Sequence, residues 1–539
     1  MPVPAQISAP ARARSRSTWG PALVASLLYA AISLLVLVVS YRTSDHHFIY
    51  ALDDTYIGMA MAKNLALHAV WGVTPFGFSS SDSSLVFPIL LAVLYRVGGV
   101  NVGAPLVLSW IFGLASIFAA QRILARFLDR KGQTLVLLLL VVFAPLFTIG
   151  VIGMEHSLHL FLTLVFLGYF LRAPGEAESR SRLWAMAAVA GLMVSARYEG
   201  LFFVAPAVCV LALERRWKPA FAIALGAAVP VCLYAAFSIA HGGYWLPNSV
   251  ALKGVTGDHP SISHAVSNLI ARLRDNFDEG PQMFLVLAAV GAAGAALLRR
   301  NRRAATPLLL VLAAGLLHIC LAQVGMYYRY DAYLFGAATI AVACALPALR
   351  EAVAKPIFAA TYFLALFAGG ALLLLSVSQL HMLPLVARNI YLRQWQMGRF
   401  VQRYFPTATI AANDIGAINY LSSIHCYDLV GLANQEIFFA RRSGRYTTDF
   451  LRSDAAANHV QIAIAYDRWF GDPPGVPVGG PPLPSNWIRV AHWQIDDPSI
   501  IGDHVVSFYA IDLDHVQSLR TALVQFAGEL PAPVHLEMH

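Results

Sequence analysis

Long apolar segments recur along the first 380 residues of this chain and limit its possible folds more than any other feature. A helix needs about 20 mostly apolar residues to cross the hydrocarbon core of a bilayer, and residues 19–41 meet that length. Hydrophobic residues make up 58% of the chain and charged residues 13%, whereas soluble domains carry roughly 25% charged residues. The sequence therefore predicts a polytopic α-helical membrane protein.

About eleven segments are predicted to span the membrane, beginning from a cytoplasmic N-terminus. They cover residues 19–41, 104–124, 134–152, 157–171, 183–195, 201–213, 220–240, 283–298, 307–323, 332–349 and 357–380. The apolar segment 85–97 contains Pro88 and is too short to cross. We expect it to form a helix at the outer surface.

The distribution of Lys and Arg fixes this topology. The loops assigned to the cytoplasm hold 19 of these residues, and the outer loops before residue 380 hold 8, as the positive-inside rule requires. Counting residues 85–97 as a span would reverse the assignment. The net charge of +8 therefore reflects membrane topology, and no nucleic-acid partner is expected. An odd number of spans places the C-terminus outside.

The composition becomes that of a soluble domain after about residue 380. We predict a membrane domain over residues 1–384, with a catalytic first outer loop at 42–103, and an extracytoplasmic α/β domain over 385–539. Short β-like runs at 409–412, 427–430, 461–465, 487–493 and 505–511 predict a mixed sheet in that domain. The five cysteines offer neither a disulfide framework nor a metal-binding spacing.

Two adjacent carboxylates, Asp53 and Asp54, follow the first predicted span by about a dozen residues. Charge at the edge of the bilayer is costly and often functional. The pair could act as a general base or as a cation ligand. Alternatively, Asp53 could cap the helix that follows, with Asp54 in its first turn.

Other polar residues also map to the outer ends of predicted spans, where they could converge on one outward-facing cavity. The spans themselves are nearly free of charge at their centres, which argues against ion-coupled transport. Taken singly, each of these residues could be a helix cap, a surface ion pair or an interfacial anchor. With the two aspartates, the set is Lys63, Glu155, His156, Arg197, Glu199, Asn248, Lys253, Arg329 and Asp331.

Taken in order, several motifs resemble the GT-C class of membrane glycosyltransferases, and most closely the family that contains the mycobacterial arabinofuranosyltransferases. The motifs are DDTYIGMAMAKNLA, GMEHSLHL, SARYEG, LPNSVALK, YYRYD and NDIGAINYLSSIHCYDLVGLAN. The chain departs from the family at Ala60-Met61, where Arg-Tyr is more frequent, and at Tyr198, where Pro is more frequent.

The resemblance implies an enzyme of a bacterial inner membrane whose active site and C-terminal domain face the periplasm. Its donor would be a polyprenyl-phosphate sugar, with arabinofuranose as the expected sugar, and its acceptor would be a cell-envelope glycan or protein. Asp53 would be the catalytic base, and Asp54 would hold the acceptor or a divalent cation such as Mg²⁺, Mn²⁺ or Ca²⁺. Arg197, Lys253 and Arg329 would bind the donor phosphate, and Asp414 would face the acceptor or occupy a turn.

Two other functions fit the residues less closely. An oligosaccharide ligase or oligosaccharyltransferase would use the same carboxylate chemistry to move a whole glycan. A lipid-linked saccharide transporter would need a polar path through the bilayer, and the uncharged centres of the spans argue against it.

Overall fold

The structure of the chain is a computed structural model that describes residues 19–171, 179–253, 262–471, 479–498 and 500–539. Helices dominate the first part of the chain. They are α1 (Gly20–Thr43), α2 (Asp53–His68), α3 (Phe87–Gly98), α4 (Ala104–Leu124), α5 (Arg130–Phe143), α6 (Leu146–Val151), α7 (His156–Phe170), α8 (Arg180–Ala196), α9 (Leu201–Leu213), α10 (Trp217–Ala240), α11 (Asn248–Lys253), α12 (Ile262–Glu279), α13 (Pro281–Leu298), α14 (Arg302–Leu321), α15 (Ala332–Ala352) and α16 (Lys355–Ile390).

Within the described residues, seven of these helices are long and apolar enough to cross a membrane. They are α1, α4, α10, α13, α14, α15 and the helix that begins with α16. The expected polytopic helical architecture is confirmed, and the total of eleven spans stays a prediction. The predicted span 134–152 is two helices, because Pro145 lies between α5 and α6 and a proline cannot donate a backbone hydrogen bond.

The predicted surface segment 85–97 forms the twelve-residue helix α3. It packs against α2, which begins after the extended residue Leu52 and ends at Ala69 in the left-handed conformation. Asp53 and Asp54 occupy the first turn of α2, where the helix dipole favours negative charge.

The C-terminal part of the chain is an α/β domain, as predicted. Its helices are α17 (Gln396–Tyr404), α18 (Gly416–Leu421), α19 (Gln435–Arg442), α20 (Thr448–Ala457) and α21 (Val516–Ala527), and its strands are β1 (Thr409–Ala412), β2 (His425–Asp428), β3 (Ile462–Ala465), β4 (Ile488–Ile495), β5 (Val505–Ala510) and β6 (Val534–Met538). The sheet is mixed and has the strand order β2-β1-β3-β5-β4-β6. Strands β2, β1 and β3 are parallel, and the other neighbours are antiparallel. Sequence analysis did not predict β6.

The junction between the membrane bundle and this domain is helical. Helix α16 runs through residues 384 and 385 and continues, by way of a π-helical turn at Tyr391–Trp395, into α17. The predicted domain boundary between residues 384 and 385 falls inside a continuous helix, so the division into two domains at that point stays a prediction.

The first outer loop shares its hydrophobic core with the C-terminal domain. Tyr56 and Met59 of α2 belong to the same buried cluster as Phe400, Ile410 and Trp493. The membrane helices form a separate cluster. The first outer loop therefore packs as part of the α/β domain, and this packing fixes the position of α2.

Candidate functional site at the outer end of the helix bundle

The two adjacent aspartates of α2 have different surroundings. Successive residues of an α-helix point about 100° apart, so Asp53 and Asp54 cannot face the same neighbours. Asp53 is directed at the C-terminal domain, whereas Asp54 lines a cavity beside Arg329.

The Asp53 carboxyl group binds the first turn of α18. Its Oδ2 accepts a hydrogen bond from the backbone N–H of Gly416 at 2.7 Å, and its Oδ1 accepts one from Ala417 at 2.9 Å. Burial, followed by the nearby charge of Asp414, raises the pKa of Asp53 to about 8, although the two amide bonds act in the opposite direction. A side chain of Cβ size at Gly416 would lie 2.1 Å from the Asp53 carbonyl oxygen, so this contact requires glycine.

Lys63 binds the other end of the same short helix. Its Nζ donates to the backbone carbonyls of Asn419, Tyr420 and Ser422 at 2.7, 2.8 and 3.0 Å. Burial lowers the pKa of Lys63 to about 8. Cations near the last carbonyls of a helix are stabilising. Asp53 and Lys63 thus hold α18 at both of its ends.

Asp54 forms an ion pair with Arg329, and both residues line this cavity. The Arg329 Nη2 donates to Asp54 Oδ2 at 2.6 Å and to the Tyr330 hydroxyl at 2.9 Å, and the guanidinium lies over the Tyr330 ring. The Arg329 side chain is 1% exposed, and that of Asp54 is 36% exposed. A buried guanidinium therefore meets a carboxylate that solvent can reach.

Arg197 joins three further predicted residues. It donates through Nη1 to Glu155 Oε1 at 2.5 Å and through Nη2 to Glu199 Oε1 at 2.6 Å. Its Nη1 also lies 3.0 Å from Nε2 of His156, which must be the acceptor because an arginine can only donate. All four side chains are largely buried. The surface ion pair considered for Arg197 and Glu199 is therefore wrong, since Arg197 is 6% exposed.

The cavity has a volume of about 320 Å³ and a mostly apolar wall. Phe202, Val231, Leu246, Val250 and Leu321 supply much of that wall. The charged side chains that line it are Asp54, Arg197, Glu199 and Arg329, and both guanidinium groups lie over the Tyr330 ring. This volume is within the range of small-molecule sites, which are typically lined by apolar groups with a few placed polar ones.

One acidic residue near this cluster was missed by sequence analysis. Asp82 lies on the first outer loop, where its Oδ1 accepts from the Ser84 N–H at 2.8 Å. Burial, followed by the charge of Glu155, raises the pKa of Asp82 to about 8. The available signal in the sequence was a single carboxylate within a serine run, SSSDSS, directly before an apolar segment.

The remaining predicted residues lie around the cluster rather than in it. Asp331 is buried and accepts from the Gly325 N–H, and Asp414 accepts from Gln394 Nε2. Asn248 donates to the carbonyls of Gly431 and Leu432 in the C-terminal domain. Lys253 is the last residue of α11, and its side chain lies outside the described residues.

The residues described here do not fit the expected divalent cation. No group of three or more His, Cys, Asp or Glu within the described ranges is arranged to hold a metal ion. Asp54, the expected ligand, is paired with a guanidinium instead. We therefore derive no catalytic step that passes through a metal.

Comparison with known proteins adds the fold class. A family described as "Domain of unknown function (DUF8728)" matches residues 388–509. No curated protein matches the chain. ArnT from Cupriavidus metallidurans, solved bound to undecaprenyl phosphate, is similar over 91% of this chain and 98% of its own, with 12% identity and a TM-score of 0.50.

The oligosaccharyltransferase of Archaeoglobus fulgidus has a comparable similarity. Its apo form matches 94% of this chain and 78% of its own, with 13% identity and a TM-score of 0.52. Its complex with Zn and sulfate matches 95% and 74%, with 14% identity and a TM-score of 0.51. At these identities the similarity shows the fold alone. The expected GT-C fold, a polytopic helical membrane domain followed by an α/β domain, is confirmed.

Proposed function

We propose that the protein is a membrane glycosyltransferase that moves a sugar from a polyprenyl-phosphate carrier to an acceptor hydroxyl on the outer face of a bacterial inner membrane. The observation that carries this proposal is the composition of the 320 Å³ cavity, in which an apolar wall adjoins Asp54, Arg197 and Arg329. A lipid-linked phosphate has both chemistries, an apolar chain and an anion.

The fold of the chain supports the same assignment. ArnT, which is similar over nearly its whole length, was solved with undecaprenyl phosphate. The donor sugar of this chain is proposed to be arabinofuranose, and this rests on the resemblance of its sequence motifs to the arabinofuranosyltransferase family. The acceptor is proposed to be a cell-envelope glycan or protein.

The reaction needs a base and a positively charged group for the leaving phosphate. The acceptor oxygen attacks the anomeric carbon, the bond between that carbon and the phosphate oxygen breaks, and the acceptor proton passes to a carboxylate. The lipid phosphate leaves as a stable anion and needs no proton. Arg329 is a planar donor suited to phosphate oxygens, and its positive charge would stabilise the charge that develops there.

The geometry favours Asp54 over Asp53 as the base. Both oxygens of Asp53 accept backbone hydrogen bonds from α18. Asp53 is not one of the described residues that line the cavity. Asp54 lines it and is partly exposed. The catalytic assignment of Asp53 made from the sequence stays a prediction, which the matched variants below can test.

Transfer of a whole glycan is a second candidate, because the fold similarity to the Archaeoglobus fulgidus oligosaccharyltransferase is as strong as that to ArnT. The two candidates differ in the size of the donor. A single-sugar enzyme should consume polyprenyl-phosphate monosaccharides, whereas a glycan transferase should require a lipid-linked oligosaccharide.

The test uses purified full-length protein in lipid nanodiscs with polyprenyl-phosphate sugars and an acceptor glycan. Asp54→Asn should lower turnover by roughly 100-fold or more, the size typical of lost general-base catalysis. Asp514→Asn is the matched control, because Asp514 is an exposed carboxylate of the C-terminal domain away from the cavity. Equal turnover by Asp54→Asn and the wild type would overturn the assignment.

A further inference from the structure

A second cavity lies between the first outer loop and one edge of the C-terminal sheet. It has a volume of about 460 Å³, within the usual range for small-molecule sites of about 300–1,000 Å³. Thr74 and Phe78 of the first outer loop form one side, and Thr409 and His425 of β1 and β2 form another. Gln435, at the start of α19, completes the wall that adjoins Asn248.

The lining of this cavity differs in chemistry from that of the first. It is predominantly polar and contains the side-chain amides of Asn434, Gln435 and Asn458. Glu436 provides a carboxylate, and none of the described residues lining the cavity is Lys or Arg. Amides and carboxylates present both donors and acceptors to hydroxyl groups. A cavity that presents a carboxylate and neither Lys nor Arg is poorly suited to a phosphate or another anion.

Aromatic rings accompany these polar groups. Phe78 lies at the cavity with its ring 5.3 Å from that of His241, which also lines it. His425 is stacked on Phe76, with the ring centroids 3.6 Å apart. Flat rings beside amide groups suit a ligand that has apolar C–H faces and hydroxyl edges, and this is the chemistry of a sugar.

Gln435 provides the most specific observation. Its Oε1 accepts from Nδ2 of Asn248 at 3.4 Å. Its Nε2 is buried and has no hydrogen-bond partner within the part of the chain that the structure describes. A buried donor without an acceptor is destabilising. Gln435 lines the cavity, so a small rotation of its side chain would offer this donor to a ligand hydroxyl.

We propose that this second cavity binds a neutral saccharide. If the protein is the glycosyltransferase proposed above, which this step assumes, the saccharide is part of the acceptor glycan. The two cavities adjoin the same short helix α11, since Asn248 contacts Gln435 and the following Ser249 and Val250 line the first cavity. An acceptor held in the second cavity would therefore lie beside the wall of the donor cavity.

The test measures saccharide binding without any lipid donor, so that it is independent of transfer. Saturation-transfer NMR on the full-length protein in nanodiscs would use soluble arabinan, galactan and mannan fragments, with an oligogalacturonate as the anionic comparison. We expect at least one neutral fragment to bind and the anionic one to bind at least tenfold more weakly. The variant Glu436→Ala/Asn458→Ala should lower affinity at least tenfold, and Gln525→Ala, an exposed amide of the same domain, should bind as the wild type does.

Two outcomes would overturn this inference. One is equal binding by the wild type and the Glu436→Ala/Asn458→Ala variant, and the other is the absence of binding by any neutral fragment. Equal or tighter binding of the oligogalacturonate would overturn the assignment to neutral saccharides. Failure of the proposed function would be recognised separately, because polyprenyl-phosphate turnover would then be absent while saccharide binding persisted.

Discussion

The isosteric variant Asp53→Asn separates docking from catalysis at the two adjacent aspartates. Asp53 accepts hydrogen bonds from the backbone N–H groups of Gly416 and Ala417. An asparagine has one acceptor oxygen, so its amide NH₂ would face one of these two donors. The contact should therefore weaken, although the side chain keeps its shape.

The size of this effect follows from the value of one hydrogen bond. Leaving one buried N–H without an acceptor costs roughly 1–3 kcal/mol. A loss of about 2 kcal/mol corresponds to roughly a 30-fold increase in the opening equilibrium, since about 1.4 kcal/mol is tenfold.

Hydrogen-deuterium exchange of the peptides covering α18 would measure this opening. Asp53→Asn should speed exchange of the Gly416 and Ala417 amides by roughly that factor, whereas Asp54→Asn should leave it unchanged, because Asp54 pairs with Arg329 instead. For turnover we expect the opposite order, so that Asp54→Asn loses more activity than Asp53→Asn. Unchanged exchange in Asp53→Asn, together with lost turnover, would refute the docking argument and favour Asp53 as the base.

Three further variants test neighbouring parts of the site. Lys63→Met leaves the carbonyls at the end of α18 without their cation and should lower the Tm by several degrees. The control is Lys218→Met, because Lys218 is exposed. Equal Tm values for the two variants would contradict this prediction. Arg329→Lys keeps the charge but loses the planar fork, so affinity for a polyprenyl phosphate should fall roughly tenfold in native mass spectrometry, and unchanged affinity would remove Arg329 from the phosphate site. Burial raises the pKa of Asp82 to about 8 in the folded state, so the folded protein binds a proton that the unfolded chain has lost, and the free energy of unfolding falls as pH rises from about 4 to about 8. Between pH 5 and pH 8, the Tm of Asp82→Asn should therefore fall less than the Tm of the wild type. Parallel curves of Tm against pH would contradict the raised pKa.

The sequence predicted those features that depend on local pattern. Apolar length predicted the membrane helices, and short aliphatic runs predicted β1 and β3 almost to the residue. Glu155, Arg197 and Glu199 were expected to share a cavity because each follows the outer end of a span, and the structure brings Arg197 into contact with both acids.

What the sequence could not supply was direction. In the sequence, Asp53 and Asp54 form one acidic pair, yet neighbouring residues of a helix point about 100° apart. Asp53 contacts Gly416 and Asp54 contacts Arg329, and both partners are distant in sequence. Asp82 was missed for a related reason, since a serine-rich stretch resembles an exposed loop. Its surroundings depend on Glu155 and Arg197, which are distant in sequence.

The position of Asp54 depends on how the C-terminal domain docks. Helix α2 carries Asp53 and Lys63, which hold α18, and also Asp54, which lines the 320 Å³ cavity. An α-helix is stiff, so a rotation of α2 that releases α18 would also turn Asp54 away from Arg329. The predicted boundary between residues 1–384 and 385–539 therefore understates the connection of the two parts, because the C-terminal part supplies the contacts that hold α2, and with it the cavity carboxylate, in place.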